Sequence, residues 1–268
     1  MKYVELNKKK LDVKVGQRCK NIEPNIIDDT IFIEENKIVG FYIKKLPKKI
    51  EKFLQVIDNE FRSKRVPKQN MSRGPQGKKT DRIKNAKEGK IIVEQYSTTL
   101  GSMLPKPHMR RNYCSFSSVH HHKSAKNYIK AMYLLGKYSE QIMKDNCPDL
   151  YETHKRAIEA KVPERWRFSN IFTSSISNYN ISAPYHIDRA NLKNCINMIY
   201  TTRQESDGGC LHIPEYDAVI EMAHNSLCVY PAWRNIHGVT PIKNYNIDSY
   251  RNTHIFYALK GFEKYGAS

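Results

Sequence analysis

The sequence predicts an α+β chain, with a basic, mixed α/β N-terminal region followed by a β-rich half of sandwich, jelly-roll or barrel type. Apolar residues recur at helical spacing only before residue 165, and from Phe168 onward short β-rich runs alternate with turn residues. The charge is divided as well. Of 268 residues with a net charge of +18, residues 1–130 hold 30 Lys and Arg against 13 acids, and residues 131–268 hold 15 against 14. That asymmetry suits a polyanionic partner. A composition of 40% apolar and 27% charged residues excludes wholesale disorder. No apolar run approaches the roughly 20 residues that span a bilayer. MKYVELNKKK lacks the apolar stretch of a signal peptide, so an intracellular protein, cytoplasmic or nuclear, is expected. The expected organisation is a basic region over 1–165 packed on a core over 166–268.

In chain order, IFIEENKIVGFYI (31–43) is two β-rich runs around a polar turn and predicts a hairpin. Pro47 opens a helix with Ile50, Phe53, Leu54, Ile57 and Phe61 on one face. From Arg62 to Lys90 the pattern collapses: 29 residues hold 11 basic ones and several Gly, Pro and Asn. A loop this long in a compact domain is functional or disordered. Within it Arg73, Lys78, Lys79 and Arg82 are candidate contacts to a phosphate backbone, with Arg110 and Arg111 as a further pair. A strand is expected over Ile91–Thr99, then a turn-rich GSMLPKPHMRR, then a strand around Tyr113–Val119. His120, His121 and His122 cannot all face one ion from an extended chain and are expected in a surface loop. Tyr128, Ile129, Met132, Leu135, Tyr138 and Ile142 mark a helix over 124–144, and Pro148 starts another towards Ala160. Strands are then expected at 171–177, 195–202, 210–216, 218–223, 226–231, 235–242 and 253–259. The six cysteines form no C-x-x-C pair and are expected as free, mostly buried thiols.

The β-rich half contains PYHIDRAN (184–191). His186 and Asp188 are two apart, so on an extended strand they leave the same face. His237 follows 51 residues later in NIHGVTPI. Two histidines and one carboxylate form the facial triad of non-haem Fe(II), which leaves positions open for co-substrate and oxygen. Arg251 opens the last strand run, where a fixed guanidinium can clamp a carboxylate bidentately. His212, His224 and His254 are expected as satisfied strand or turn residues, and Trp166 and Trp233 in the core or at the site rim. Glu215, Tyr216 and Asp217 fit a substrate mouth and a strand-end turn equally well.

FTSSISNYN, HIDRAN, GGCLHIPEYD, HGVTPI and RNTHIFY together resemble the Fe(II)/2-oxoglutarate dioxygenases of the ten-eleven-translocation (TET) and base-J-binding-protein (JBP) group, over roughly residues 170–260. These enzymes oxidise the 5-methyl group of pyrimidines in DNA. The resemblance implies a double-stranded β-helix (jelly-roll) core with buttressing helices, and Fe(II), 2-oxoglutarate and O2 as cofactor and co-substrates. It implies that His186, Asp188 and His237 bind the metal, that Arg251 holds the far carboxylate of 2-oxoglutarate, and that Thr253 lies nearby. It places Asn191 and Tyr257 against a flipped base, by amide contact and by stacking. Two residues past Tyr257 this chain has Leu259, where the animal TET enzymes carry a cytosine-contacting histidine. 5-Methylcytosine is thus only slightly favoured over thymine. Double-stranded DNA is the expected partner. A protein side-chain hydroxylase and an AlkB-like nucleic-acid demethylase are the alternatives on the same scaffold, and a non-catalytic DNA-binding module is a third.

Overall fold

The computed structural model describes residues 1–71 and 94–265. Arg73, Lys78, Lys79 and Arg82, and the start of the strand expected at 91–99, lie outside the described residues.

The expected hairpin is present. Strand β1 (Lys2–Glu5) runs parallel to β2 (Thr30–Glu34), which turns at Glu35 and Asn36, both at positive φ, into β3 (Lys37–Ile43). Helix α1 (Lys48–Arg62) buries Ile50, Leu54, Ile57 and Phe61, while Phe53 packs on Tyr138 with ring centroids 5.2 Å apart. After α1 the chain is not wholly irregular. Val66 is buried, and β4 (Gln69–Asn70) pairs with β5 (Tyr96–Met103).

Two expectations are corrected here. The strand expected to stop at Thr99 continues to Met103 through the segment read as a turn. Gly101 makes this feasible: its φ is +103°, and a Cβ there would lie 2.6 Å from the Thr173 carbonyl oxygen. The strand expected around 113–119 shrinks to β6 (Ser115–Phe116), followed by single 3-10 turns. In the first of them His120 Nε2 accepts a hydrogen bond from the Gly101 N–H at 3.1 Å, while His121 and His122 are exposed.

Helices α2 (Lys126–Asn146) and α3 (Pro148–Lys161) match their expected spans closely. The β-rich half supplies β7 (Ser174–Tyr179), β8 (Asn197–Gln204), β9 (Ser206–Gly208), β10 (Leu211–Ile213) and β11 (Ala218–Ile220). It ends with β12 (Ser226–Tyr230), β13 (Gly238–Val239), β14 (Ile242–Asn244) and β15 (Tyr250–Tyr257). Prolines truncate two of the expected runs: Pro214 begins a 3-10 turn after β10, and Pro241 separates β13 from β14.

The large sheet has the order β1-β2-β3-β12-β8-β15-β7-β5-β4, with β6 on β5, so strands from both sides of residue 166 share it. A small antiparallel sheet, β11-β10-β13, is prolonged by a bridge between His186 and His237. The fold is α+β with a jelly-roll core. Helices α1 and α2 cover the outer face of the large sheet through a core that includes Leu54, Phe61, Met132, Leu135, Phe172, Met198 and Phe256. Alternation along β15 then fixes the site. His254 and Phe256 face the helices, which leaves Arg251, Thr253, Ile255 and Tyr257 to line the cavity between the sheets. All six cysteines are buried and free. Among the described residues no helix is long and apolar enough to cross a membrane.

Candidate metal centre

The 51-residue gap between the two histidines is closed by the backbone. His186 and His237 exchange both main-chain hydrogen bonds, at 2.8 and 2.9 Å, so their side chains leave the same face. The Asp188 N–H donates to the Ala232 carbonyl at 3.1 Å, which keeps this segment against the chain leading to His237. Ligating atoms of His186, Asp188 and His237 all lie within 4.8 Å of one another, and His186 Nε2 is 3.5 Å from Asp188 Oδ1.

The surroundings set the ligands up for a metal. His186 Nδ1–H donates to the Pro184 carbonyl at 2.8 Å and His237 Nδ1–H to the Asn235 carbonyl at 3.1 Å, which leaves both Nε2 atoms bare. Burial and the neighbouring His186 push the His237 pKa down, favouring the neutral imidazole that a metal requires. Asp188 Oδ2 accepts from Asn197 Nδ2 at 3.0 Å and Asn191 Nδ2 at 3.3 Å, while Oδ1 is turned towards His186. Two imidazoles and a carboxylate with an open side fit Fe(II).

A cavity of about 360 Å³ holds this triad together with Asn191, Asn197, Asn178, Arg251, Thr253 and Tyr257. Arg251 is 3% exposed, and its Nε has no hydrogen-bond partner among the described residues. Burial, and then the adjacent Arg203, push its pKa down to about 9, so it remains a cation at neutral pH. Arg203 stands directly opposite on β8 but is spent on the carbonyls of Gly208 and Met222 and on Ser206. A buried guanidinium with an orphaned Nε among the described residues, beside a candidate metal triad, fits the far carboxylate of 2-oxoglutarate. Its bed is specific: Gly209 has φ +66°, and a Cβ there would lie 2.5 Å from Arg251 Cδ and Nε.

Asn191 lines the same cavity, but both amide hydrogens are engaged, one by Asp188 and one by Asn197 Oδ1 at 2.8 Å. Tyr257 lines it too, and burial followed by the Asp188 charge pushes its phenol pKa up, so the O–H stays protonated. Asn197 and Asn178 were missed by sequence reasoning. The signal for Asn197 was an amide interrupting the apolar run CINMIY.

The remaining candidates lie elsewhere. Arg110 is exposed, and Arg111 donates to the Leu104 carbonyl; neither lines the cavity. His212 bonds the Tyr185 hydroxyl at 2.7 Å, His224 accepts from the Arg203 N–H at 3.2 Å, and His254 sits between Ser177 and Asp58. Trp166 stacks on Phe262, and Trp233 lines a separate cavity of about 760 Å³. Glu215 and Tyr216 lie in a 3-10 turn closed by Asp217 and tied to Asn235 and Glu34, away from the cavity lining.

No protein-family profile matches the chain, and no curated protein matches it in sequence. Among solved structures it is similar to NgTET1 in complex with 5mC DNA, with a TM-score of 0.58 and 10% identity over 94% of this chain and 84% of that one. It is also similar to an oxidoreductase of the 2OG-Fe(II) oxygenase family from Burkholderia pseudomallei, with a TM-score of 0.41 and 12% identity over 76% and 77% of the two chains. The likeness to NgTET1 is one of fold: the two chains share a jelly-roll architecture.

Proposed function

We propose that this chain is an Fe(II)/2-oxoglutarate-dependent dioxygenase that hydroxylates the 5-methyl group of a pyrimidine flipped out of double-stranded DNA, with 5-methylcytosine as the favoured base. The observation that carries the reading is the shared cavity: the His186–Asp188–His237 triad and Arg251, whose Nε has no partner among the described residues, line one space of about 360 Å³. Fe(II) with 2-oxoglutarate and O2 would supply the oxidising chemistry there. The chain's own residues bind and orient. Arg251 takes the far carboxylate of the co-substrate, the two Nε2 atoms and Asp188 Oδ1 hold the metal, and Tyr257 offers a ring face to the base. A 5-methyl group lies in the major groove of a duplex, whereas this triad lies inside the fold. The base therefore has to leave the stack, at a cost of a few kcal/mol.

The fold similarity to NgTET1 on 5mC DNA and the +17 charge of residues 1–130 support a DNA substrate. The amide pattern supports cytosine where Asn191 faces position 4 of the base. A carboxylate only accepts, so Asn191 and Asn197 both present nitrogen to Asp188. With its second hydrogen on Asn197, Asn191 keeps only Oδ1 for a ligand, and set against position 4 of the base that acceptor would pair with the N4 amine of cytosine and oppose O4 of thymine.

One incubation tests this. Protein, Fe(II), 2-oxoglutarate, ascorbate and air are combined with duplexes containing either 5-methylcytosine or ordinary bases only, and nucleosides are read by mass spectrometry. Hydroxymethylcytosine from the first duplex alone is expected. Hydroxymethyluracil would move the assignment to thymine. Succinate formed only with added protein or RNA, and no oxidised DNA base, would overturn the DNA substrate while keeping the oxygenase.

A further inference from the structure

We propose that two basic clusters flanking the metal-binding segment clamp the nucleic-acid strand on either side of the reacting nucleotide; this rests on the DNA reading above. The first cluster is a strap near the N-terminus. The Gly16 N–H donates to the Tyr185 carbonyl at 2.7 Å and the Tyr185 N–H to the Gln17 carbonyl at 2.9 Å, so the strap lies beside the residue preceding His186. Cys19 pins it from below, with Sγ 3.7 Å from the Ala183 carbonyl, and a Cβ at Gly238 would come within 2.3 Å of that sulfur. Lys14, Arg18 and Lys20 of this strap are exposed, and residues 13–22 contain no acid.

The second cluster stands at the other end of the same segment. The Lys260 N–H donates to the Ala190 carbonyl at 3.0 Å, and Arg189, Lys193 and Lys260 are all exposed. No acid occurs from Arg189 to Gln204. Between the clusters, the side chains of His186 and Asp188 are 39% and 30% exposed, so the ligand set meets solvent there while His237 is buried behind it. Tyr185 and Ala190 are five residues apart, hence at most about 17 Å. A strand delivering one base into this opening would pass its phosphates over both clusters. The strap's role emerges only once the fold brings residue 16 to residue 185.

The test uses the full chain and fluorescent 5-methylcytosine duplexes, with affinity measured from 0.05 to 0.5 M salt. The variants are Lys14→Ala with Lys20→Ala, Arg189→Ala with Lys193→Ala, and Lys14→Arg with Lys20→Arg. Each alanine pair should lower the salt slope by up to about 1.8, the slope being about 0.9 per phosphate contact. Taking the contacts as neutral at 1 M salt, that is about a 30-fold loss of affinity at 0.15 M. The arginine pair should keep the parent slope. Mn(II) binding, followed in parallel, should be retained in all three, which shows the site intact. Parent-like slopes for both alanine pairs would overturn the clamp while leaving the DNA reading in place. Absence of duplex binding by the unsubstituted protein would overturn both.

Discussion

Gly209→Ala tests the co-substrate clamp without removing any functional group. A Cβ at residue 209 would stand 2.5 Å from Arg251 Cδ and Nε, whereas ordinary carbon contacts begin near about 3.5 Å. The guanidinium must therefore shift by about 1 Å, and a displacement of that size costs about 10²-fold in a positioned site. The expected result is about a 100-fold weaker Kd for 2-oxoglutarate, or about 2.7 kcal/mol, measured by calorimetry with Mn(II) under anaerobic conditions. Residue 209 also sits at φ +66°, which costs an L residue about 1–2 kcal/mol and should lower Tm by about 2–8 °C. Gly208→Ala separates the two effects. It shares the left-handed backbone, with φ +67°, but its Cβ would meet the Pro241 carbonyl rather than Arg251. It should lose stability with a much smaller loss of 2-oxoglutarate affinity. A Gly209→Ala protein that melts early yet binds 2-oxoglutarate normally would refute the assignment of Arg251.

Asp188→Ala should abolish turnover and metal binding while duplex affinity changes less than about threefold, because phosphate contacts dominate that affinity; an equal loss of duplex binding would show the site and the footprint to be one. Asn197→Leu removes the 3.0 Å hydrogen bond to Asp188 Oδ2, and loss of such a ligand-orienting partner should weaken Mn(II) binding about 10–100-fold by equilibrium titration. Lys78→Ala, Lys79→Ala and Arg82→Ala together should reduce the salt slope for duplex by up to about 3; an unchanged slope removes that segment from the footprint. His154 is fully buried, and desolvation pushes its pKa down to about 4 from 6.5. The unfolded chain thus binds the proton more readily, and stability present above pH 6.5 is lost as pH falls towards 4, by about 3 kcal/mol. His154→Gln should show a correspondingly shallower fall in urea midpoint over that window.

The candidate metal triad was legible because its pattern is local. H-x-D needs only a strand's two-residue period, and the distant His237 stood in a β-rich run of its own. Helices α1 and α2 were readable for the same reason, each carrying an apolar stripe, and α3 was readable from the proline that opens it. What escaped depends on contacts between segments far apart in the chain. Asn197 meets Asp188 because β8 carries its amide there, and residues 14–20 are brought beside the candidate site by backbone bonds to Tyr185 and by the Cys19 contact with Ala183. Gly101 reads as a turn residue, yet here it allows a strand backbone to approach Thr173 too closely for any side chain. Asn191 was chosen as a base reader; that its hydrogens are already spent, and that it can only accept, is visible once Asn197 is in place.

Ser177, His254 and Asp58 make the complementary point, because their chemistry alone would suggest a second active site. Ser177 Oγ lies 2.7 Å from His254 Nδ1, and His254 Nε2 lies 2.9 Å from Asp58 Oδ1, a serine–histidine–carboxylate chain within hydrogen-bond reach. Burial decides against nucleophilic catalysis. Ser177 and His254 are 0% exposed and Asp58 is 3% exposed, so no substrate reaches the hydroxyl, which is in any case paired with the Tyr128 hydroxyl at 2.7 Å. The network instead joins α1 to β15, with Asp58 also accepting from Asn252 at 2.6 Å. Asn252 and His254 alternate along that strand with Arg251, Thr253 and Ile255, whose side chains line the cavity on the opposite face. Slippage of β15 by one residue would exchange the two faces and turn Arg251 into the helix-packed core. A buried carboxylate that accepts from residues 252 and 254 penalises that slippage, so the polar cluster outside the barrel keeps the guanidinium inside it.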